Sequence, residues 1–469
     1  MKHLSALLLC LLLLTPAAAQ SLTPSQMRED LNKMADLIRR CHPDPFHAAS
    51  EAEFDQLLAR LRDRCDRQIE LNEFFFILME LAYLLKDPHT TVQKKYDGPF
   101  LGIRLVWAHD GLVVSWADES CGLKSGDKIL SVGGLNPVDL EELLISVIPA
   151  ENRYWVRSMA EDMLVWGAFL EYLGLARENK VALVVEDGLG KVLSLDVPMR
   201  TSPLSEDLET NRIPVGWSID NEASLGVFYL DEHRGTEAIR VPLEAFFRAV
   251  RDNRIRRIAI DVREKRGGIS DYYEFLRYLP VHRSGWFSYF SPRVRGFSVL
   301  IRYSPEATDQ LNYSKESGFW RYNPLEQWFT FGWYAHPPDP DLVFYGDVFI
   351  LTTNNTFSAA SNYPIFFQDN NLAKVIGEPP GQAPSQFSDT LRFTLPNSRI
   401  SLIVSHKHFT RPAPERDPAD FLYPDVFIPR TVQDIRLGRD AVMEWLLAPG
   451  ANHEHRSADR LKDIDGRIR

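Results

Sequence analysis

Apolar residues recur every three or four positions in some stretches of the chain and run together or alternate singly in others, and the order of these patterns sets its layout. Residues 23–85 read as helical. Met27, Leu31, Met34, Leu37 and Ile38 share one face of a first helix, Phe54, Leu57, Leu58 and Leu61 one face of a second, and 74–85 supplies a third. Pro43 and Pro45 keep the connection between the first two out of the helix. Residues 98–200 read as a β-rich module interrupted by helix. It has strand-like runs at 104–107 and 112–114, and a short strand between the tight-turn pairs Gly126-Asp127 and Gly133-Gly134. Helices over 139–147 and 154–175 follow, then alternating strands at 181–185 and 192–197.

From Leu225 the pattern becomes strand, helix, strand, helix: a strand at 226–230, a helix around 243–250, a strand at 258–262, and a helix over 272–278. An aromatic-rich segment, 282–341, reads either as a lid or binding wall or as an ordinary cluster beneath a long loop. The apolar run Val348 to Leu351 is then a buried strand, ended by the polar Thr352-Thr353-Asn354-Asn355, with a helix opening beyond it and a further strand at 374–376. Buried strands separated by helices predict an α/β sheet whose site gathers at strand ends, and both Gly267 and Ser358 fall there. A helix at 438–447 precedes a polar tail, 448–469.

A chain of 469 residues exceeds one ordinary core. Its 53 basic and 64 acidic residues give a formal charge of −11, which argues against nucleic acid or an anionic membrane surface as the main partner. Residues 1–19, with Lys2, an apolar run and Ala17-Ala18-Ala19, read as a secretory signal cleaved before Gln20, so the expected location is periplasmic or extracellular. No later stretch is long and apolar enough to span a bilayer. Of the cysteines that remain, Cys41 and Cys65 either pair, leaving Cys121 over, or all three are buried free thiols. No metal-ligand spacing appears.

The chemistry concentrates in the strand-to-helix turn. It holds the Ser358 hydroxyl where free backbone N–H groups, that of Ala359 among them, can face a developing oxyanion. Serine is also a common helix cap, so the turn alone does not decide the matter. Five segments in order then carry a resemblance. Lys86-Asp87-Pro88-His89-Thr90, Gly122 to Ile129 with Phe100-Leu101-Gly102-Ile103, Asp261-Val262-Arg263-Glu264-Lys265-Arg266-Gly267-Gly268, Thr356-Phe357-Ser358-Ala359-Ala360-Ser361 and Val375-Ile376-Gly377-Glu378 together resemble the tail-specific serine peptidases, the C-terminal-processing and tricorn-core family.

The resemblance implies a ClpP/crotonase-like α/β core at 216–447, an N-terminal helical domain at 20–97, and an inserted PDZ-like domain at 98–200 whose Leu101, Gly102 and Ile103 form a substrate carboxylate loop. It implies an acyl-enzyme endopeptidase acting on polypeptides without metal or organic cofactor. The processing branch uses a Gly-Lys pair as base, whereas here the pair is Gly381-Gln382, and an amide takes no proton at neutral pH. The tricorn-like branch uses an early histidine instead, and His89 stands at that place. A late acid should orient it: Asp420 first, then Asp417, then Glu415, with Asp425 structural. Gly267 and Gly268, with Ala359, are the oxyanion candidates, because close backbone approach to a ligand excludes a Cβ. Lys265-Arg266 in place of small residues, Asn354-Asn355 and the missing lysine leave a second reading, a homologue without chemistry that grips peptides through the PDZ-like region and core groove. A hydrolase of small esters is a third, less suited to a PDZ-like turn.

Overall fold

The computed structural model describes residues 21–96, 98–201, 215–231, 236–268, 270–280, 295–311, 318–322, 339–417 and 420–448. The leader, the polar tail beyond Ala448 and most of the aromatic segment 282–341 lie outside the described residues.

The central element is a six-stranded sheet in which Leu225–Leu230, Arg257–Asp261, Asp347–Thr352, Lys374–Gly377 and Val426–Phe427 run parallel, with Val215–Asp220 antiparallel at one edge. The apolar run of its central strand is explained by burial on both faces. Val348 and Ile350 face a layer formed by Leu243, Phe246 and Phe247 of the helix Thr236–Asp252 and by Tyr363, Phe366 and Phe367 of Asn362–Asp369. Phe349 and Leu351 face Val442 and Leu446 of the helix Ala441–Leu447. The fold is thus α/β, with the strand ends on which Gly267 and Ser358 follow lying side by side in the sheet.

Among the described residues, two larger sheets accompany this core, besides a two-stranded pairing of Ser21–Leu22 with Ile69–Glu70. In residues 98–200, Ile103–Ala108, Gly111–Ala117, Lys128–Val132, Lys180–Glu186, Ala176–Arg177 and Val192–Pro198 form an antiparallel sheet. The single helix expected over 154–175 is two, Arg153–Met163 and Gly167–Tyr172. The break falls where Trp166 bridges to Phe100 and the Gly167 N–H donates to the Pro99 carbonyl. The other sheet was not legible in the sequence: the hairpin Gln386–Thr394 and Ser401–Thr410, joined by Ser298–Tyr303 and Gly318–Tyr322. Thr91–Gln93, from the N-terminal part of the chain, pairs antiparallel with Ser401–Ile403 of this hairpin.

The N-terminal helices Pro24–Cys41, Glu51–Arg64 and Leu71–Tyr83 follow the apolar periodicity, the first two opened by capping boxes at Thr23–Gln26 and Ser50–Glu53. Their apolar faces, the inner face of the 98–200 sheet and Leu391, Leu402 and Val404 of the hairpin form one continuous core. That shared core fixes His89, which follows the third helix, against the six-stranded sheet. Cys41, Cys65 and Cys121 are all buried and free, so the Cys41–Cys65 pairing is corrected to its alternative. Burial pushes the Cys41 thiol up to about 11, which keeps it protonated and unreactive. Among the described residues, no helix is long and apolar enough to cross a membrane.

Candidate active site

The polar run after the central strand is polar because it ties the turn down. Thr352 Oγ1 donates to the Glu378 carbonyl (2.7 Å), Thr353 Oγ1 to that of Arg263 (2.5 Å) and Thr356 Oγ1 to that of Val262 (2.9 Å). These bonds lash the turn to the neighbouring strand end and hold Ser358 at φ +56°, a left-handed conformation that a non-glycine residue adopts only under constraint. Ser358–Ala360 is a single 3₁₀ turn, and the α-helix begins only at Asn362.

The hydroxyl meets an imidazole. His89 Nε2 lies 2.8 Å from Ser358 Oγ. Two features hold the ring. Its own backbone N–H donates to Asp87 Oδ1 (2.9 Å), closing an Asx turn across Pro88. Its face stacks on Phe357 (centroids 4.7 Å apart), which in turn stacks on Trp155 (3.7 Å). Asp87 is buried, and its Oδ2 lies 3.2 Å from His42 Nε2. His42 Nδ1 accepts the Asp44 N–H (3.1 Å), so the proton of the neutral ring sits on Nε2 and is donated to Asp87. Burial alone would push Asp87 up, but the hydrogen bond and charge of His42, the charge of His89 and the Thr90 hydrogen bond outweigh it and hold the carboxyl below the usual range. For His89, burial dominates and lowers its pKa from the ordinary 6.5, against the opposing pull of Asp87, the Phe387 carbonyl and Asp389.

The far side of the ring departs from expectation. His89 Nδ1 faces Gln382 Nε2 at 3.2 Å, and among the described residues no carboxylate bonds to it. Gln382 is fixed at its other end, where Oε1 accepts the Ser358 N–H (2.8 Å), so its amide nitrogen must point toward the ring and toward the Phe387 carbonyl, 3.3 Å away. The acids favoured from sequence are engaged elsewhere. Asp417 Oδ2 accepts the Ser385 hydroxyl (2.6 Å), Glu415 pairs with Arg295 (2.8 Å), and Asp420 is exposed, with its backbone carbonyl accepting from Asn152. Asp425 caps the Val375 N–H (2.8 Å), in keeping with a structural role. The acid that does reach the loop is Glu151, unforeseen in the sequence, whose Oε2 accepts the Ala383 N–H at 2.7 Å. Burial, then the charge of Asp87, pushes this carboxyl well above its usual range.

Gly267 is buried against Ser358. Its φ is +117°, and a Cβ there would sit 3.1 Å from Ser358 Cβ and 3.4 Å from its Oγ, so only glycine fits. The N–H groups of Gly267, Gly268 and Ala359 have no partner among the described residues, but Gly268 is exposed and Gly267 alone of the two glycines lies against Ser358. The cations preceding them are tied down: Lys265 is buried beside Asp271, and Arg266 bonds Asn355 Oδ1 (2.8 Å) and pairs with Asp162. The carboxylate loop expected at Leu101, Gly102 and Ile103 is a correction. All three residues are buried, the Leu101 N–H is spent on the Val165 carbonyl (2.8 Å), and the Gly102 carbonyl accepts from Asp118 N–H and Cys121 Sγ. A groove of about 680 Å³ opens instead at His89 and Phe357, running past Thr91, Val92 and Gln93 over Trp155, Met159 and Met163.

A hydroxyl held at a strained strand end, with an imidazole at hydrogen-bond distance and unbonded N–H groups beside it, is equipped for acyl transfer. Residues 236–413, which contain the Gly267 turn, Ser358 and Gln382, match the profile of peptidase family S41, so this part of the chain is a serine-type peptidase domain. It is similar in structure to mature CPAF complexed with lactacystin, at 14% identity over 95% of this chain and 99% of that one, with a TM-score of 0.64. Mature CPAF in a second structure gives 15% identity over 90% and 96%, TM-score 0.64. The photosystem II D1 C-terminal processing protease gives 14% over 91% and 98%, TM-score 0.43. No curated protein matches the chain.

Proposed function

We propose that this peptidase is an endopeptidase that cleaves polypeptides through an acyl-enzyme, with Ser358 as nucleophile and His89 as general base. The observation that carries the reading is the 2.8 Å contact between Ser358 Oγ and His89 Nε2. Ser358 Oγ attacks the scissile carbonyl carbon and its proton passes to His89 Nε2. The oxyanion falls to the N–H groups of Gly267 and Ala359. To take that proton on Nε2 the resting ring carries its hydrogen on Nδ1, a tautomer the Phe387 carbonyl favours, and Gln382 Nε2 then donates to that carbonyl rather than to the ring. A main-chain oxygen thus takes the place of the orienting acid, while Gln382 on the same side of the ring ties that oxygen to the backbone N–H of Ser358. When the C–N bond breaks, His89 returns its proton to the leaving amine. Water attacks the ester with the same base and frees Ser358.

A fluorophosphonate probe tests this directly. It is expected to label wild type at Ser358, located by peptide mass mapping, and to leave Ser358→Ala unlabelled; a label on any other residue sinks the assignment. Because only the neutral imidazole accepts a proton and burial lowers its pKa, kcat/KM should fall as pH falls, with the half-point below 6.5. A half-point above that value contradicts the buried base.

The reading includes export. Residues 1–19 form the leader, and the antiparallel module at 98–200 remains PDZ-like in pattern, although with its carboxylate loop closed the polypeptide is held at the groove by His89. The mature chain from an exporting host should begin at Gln20, which intact mass determines; a retained leader refutes this part.

A further inference from the structure

Three distant parts of the chain deliver cations to the groove beside His89. Lys94 and Lys95 follow the strand Thr91–Gln93, Arg392 comes from the hairpin strand Gln386–Thr394, and Arg266 from the turn before Gly267. No aspartate or glutamate lines the groove. This is the reverse of the chain as a whole, whose formal charge is −11.

The cations differ in how far their charge is already answered. Arg266 is ion-paired with Asp162 and contributes least. Arg392 Nη1 bonds only neutral groups, Gln93 Oε1 at 3.1 Å and Ser401 Oγ at 3.0 Å, so its position is fixed while its charge stays uncompensated. Lys94 Nζ is held by Asn72 Oδ1 at 2.6 Å and lies over the Trp166 ring. Lys95 is exposed and has no partner among the described residues. The apolar floor of Trp155, Met159 and Met163 lowers the local dielectric, which focuses a field of one sign on whatever enters.

The groove also offers backbone. Thr91–Gln93 pairs with Ser401–Ile403 along one edge and, among the described residues, with no strand along the other. An extended polypeptide can add there while its carbonyls pass Ser358. We propose that this groove is a substrate subsite selecting extended polypeptide segments that carry aspartate or glutamate side chains, with Lys95 and Arg392 as the residues that set the preference. This rests on Ser358 and His89 being the catalytic pair.

The test uses C-terminally amidated, internally quenched peptides, which removes the terminal carboxylate as an alternative anion. Two peptides differ only by glutamate for glutamine on both sides of the scissile bond. Wild type should favour the glutamate peptide in kcat/KM by about fivefold at low salt, and the ratio should shrink toward one near ~0.5 M salt as the groove is screened. Lys95→Glu/Arg392→Glu should abolish or invert the ratio, and Lys95→Gln, at an exposed position, should lower it part of the way even if the double variant folds poorly. Equal rates on the two peptides by wild type, or an unchanged ratio in the variants, overturns the proposal. Fluorophosphonate labelling of Ser358 is read in parallel. Labelling without preference refutes the subsite alone, whereas wild type that neither labels nor cleaves refutes the catalytic pair on which it rests.

Discussion

His89→Ala is expected to lower kcat/KM for peptide hydrolysis by about 10⁴-fold, with most of the loss in kcat. Among the described residues the ring is the one basic group within hydrogen-bond reach of Ser358 Oγ, at 2.8 Å, and Gln382 on its far side cannot accept a proton. The variant should still fold, since the ring is only partly buried and what it gives up is the stack on Phe357, a contact worth about 1 kcal/mol. Steady-state kinetics together with a melting curve checks both halves. A loss of less than about tenfold in a folded protein would mean that some other group takes the proton.

Asp87→Ala is expected to be costly in a different way. The carboxylate is fully buried, takes the His42 Nε2 proton at 3.2 Å and holds the His89 backbone N–H at 2.9 Å. Removing one member of a buried hydrogen-bonded pair typically costs about 3–5 kcal/mol, because the other is left without a partner. Urea unfolding should report a loss of that order. Activity in the folded fraction should fall through kcat rather than KM, because His89 loses the turn that aims it. Asp87→Asn, which can still accept the His89 N–H, should recover part of the activity. The pH dependence has a definite sign: the folded-state carboxyl titrates below its ordinary 3.8, so its contribution is present above that value and lost as pH falls below it. Wild type should therefore lose stability faster than Asp87→Ala on acidification through that range. Equal slopes would show that the pair is not ionic in the folded state.

How far this site could be read from sequence follows from where its interactions lie. Ser358, His89 and Gly267 were legible because each sits in a short segment whose own residues dictate the turn: hydroxyls that return to backbone carbonyls, an aspartate two positions before the histidine, a glycine at φ +117°. What lies on the far side of the ring was not, because that contact depends on the chain beyond Gly381 folding back to lay the Gln382 amide against Nδ1. The hairpin itself escaped the reading because Gln386–Thr394 is polar or partly exposed at most of its positions and does not alternate cleanly. The acids of 415–420 looked suitable by order along the chain, but Asp417 is spent on Ser385 and Arg411. Leu101, Gly102 and Ile103 matched a loop pattern whose function depends on free N–H groups, and whether an N–H is free is decided by a partner as distant as Val165. Glu151 left no trace at all, since it acts through the Ala383 backbone rather than through a motif.

The pairing of Thr91–Gln93 with Ser401–Ile403 bears on when hydrolytic power first arises. During synthesis the imidazole emerges early, yet the strand that locks its segment in place is made only after Ser358. A nascent chain therefore holds both side chains before the strand that brings them into line has been made.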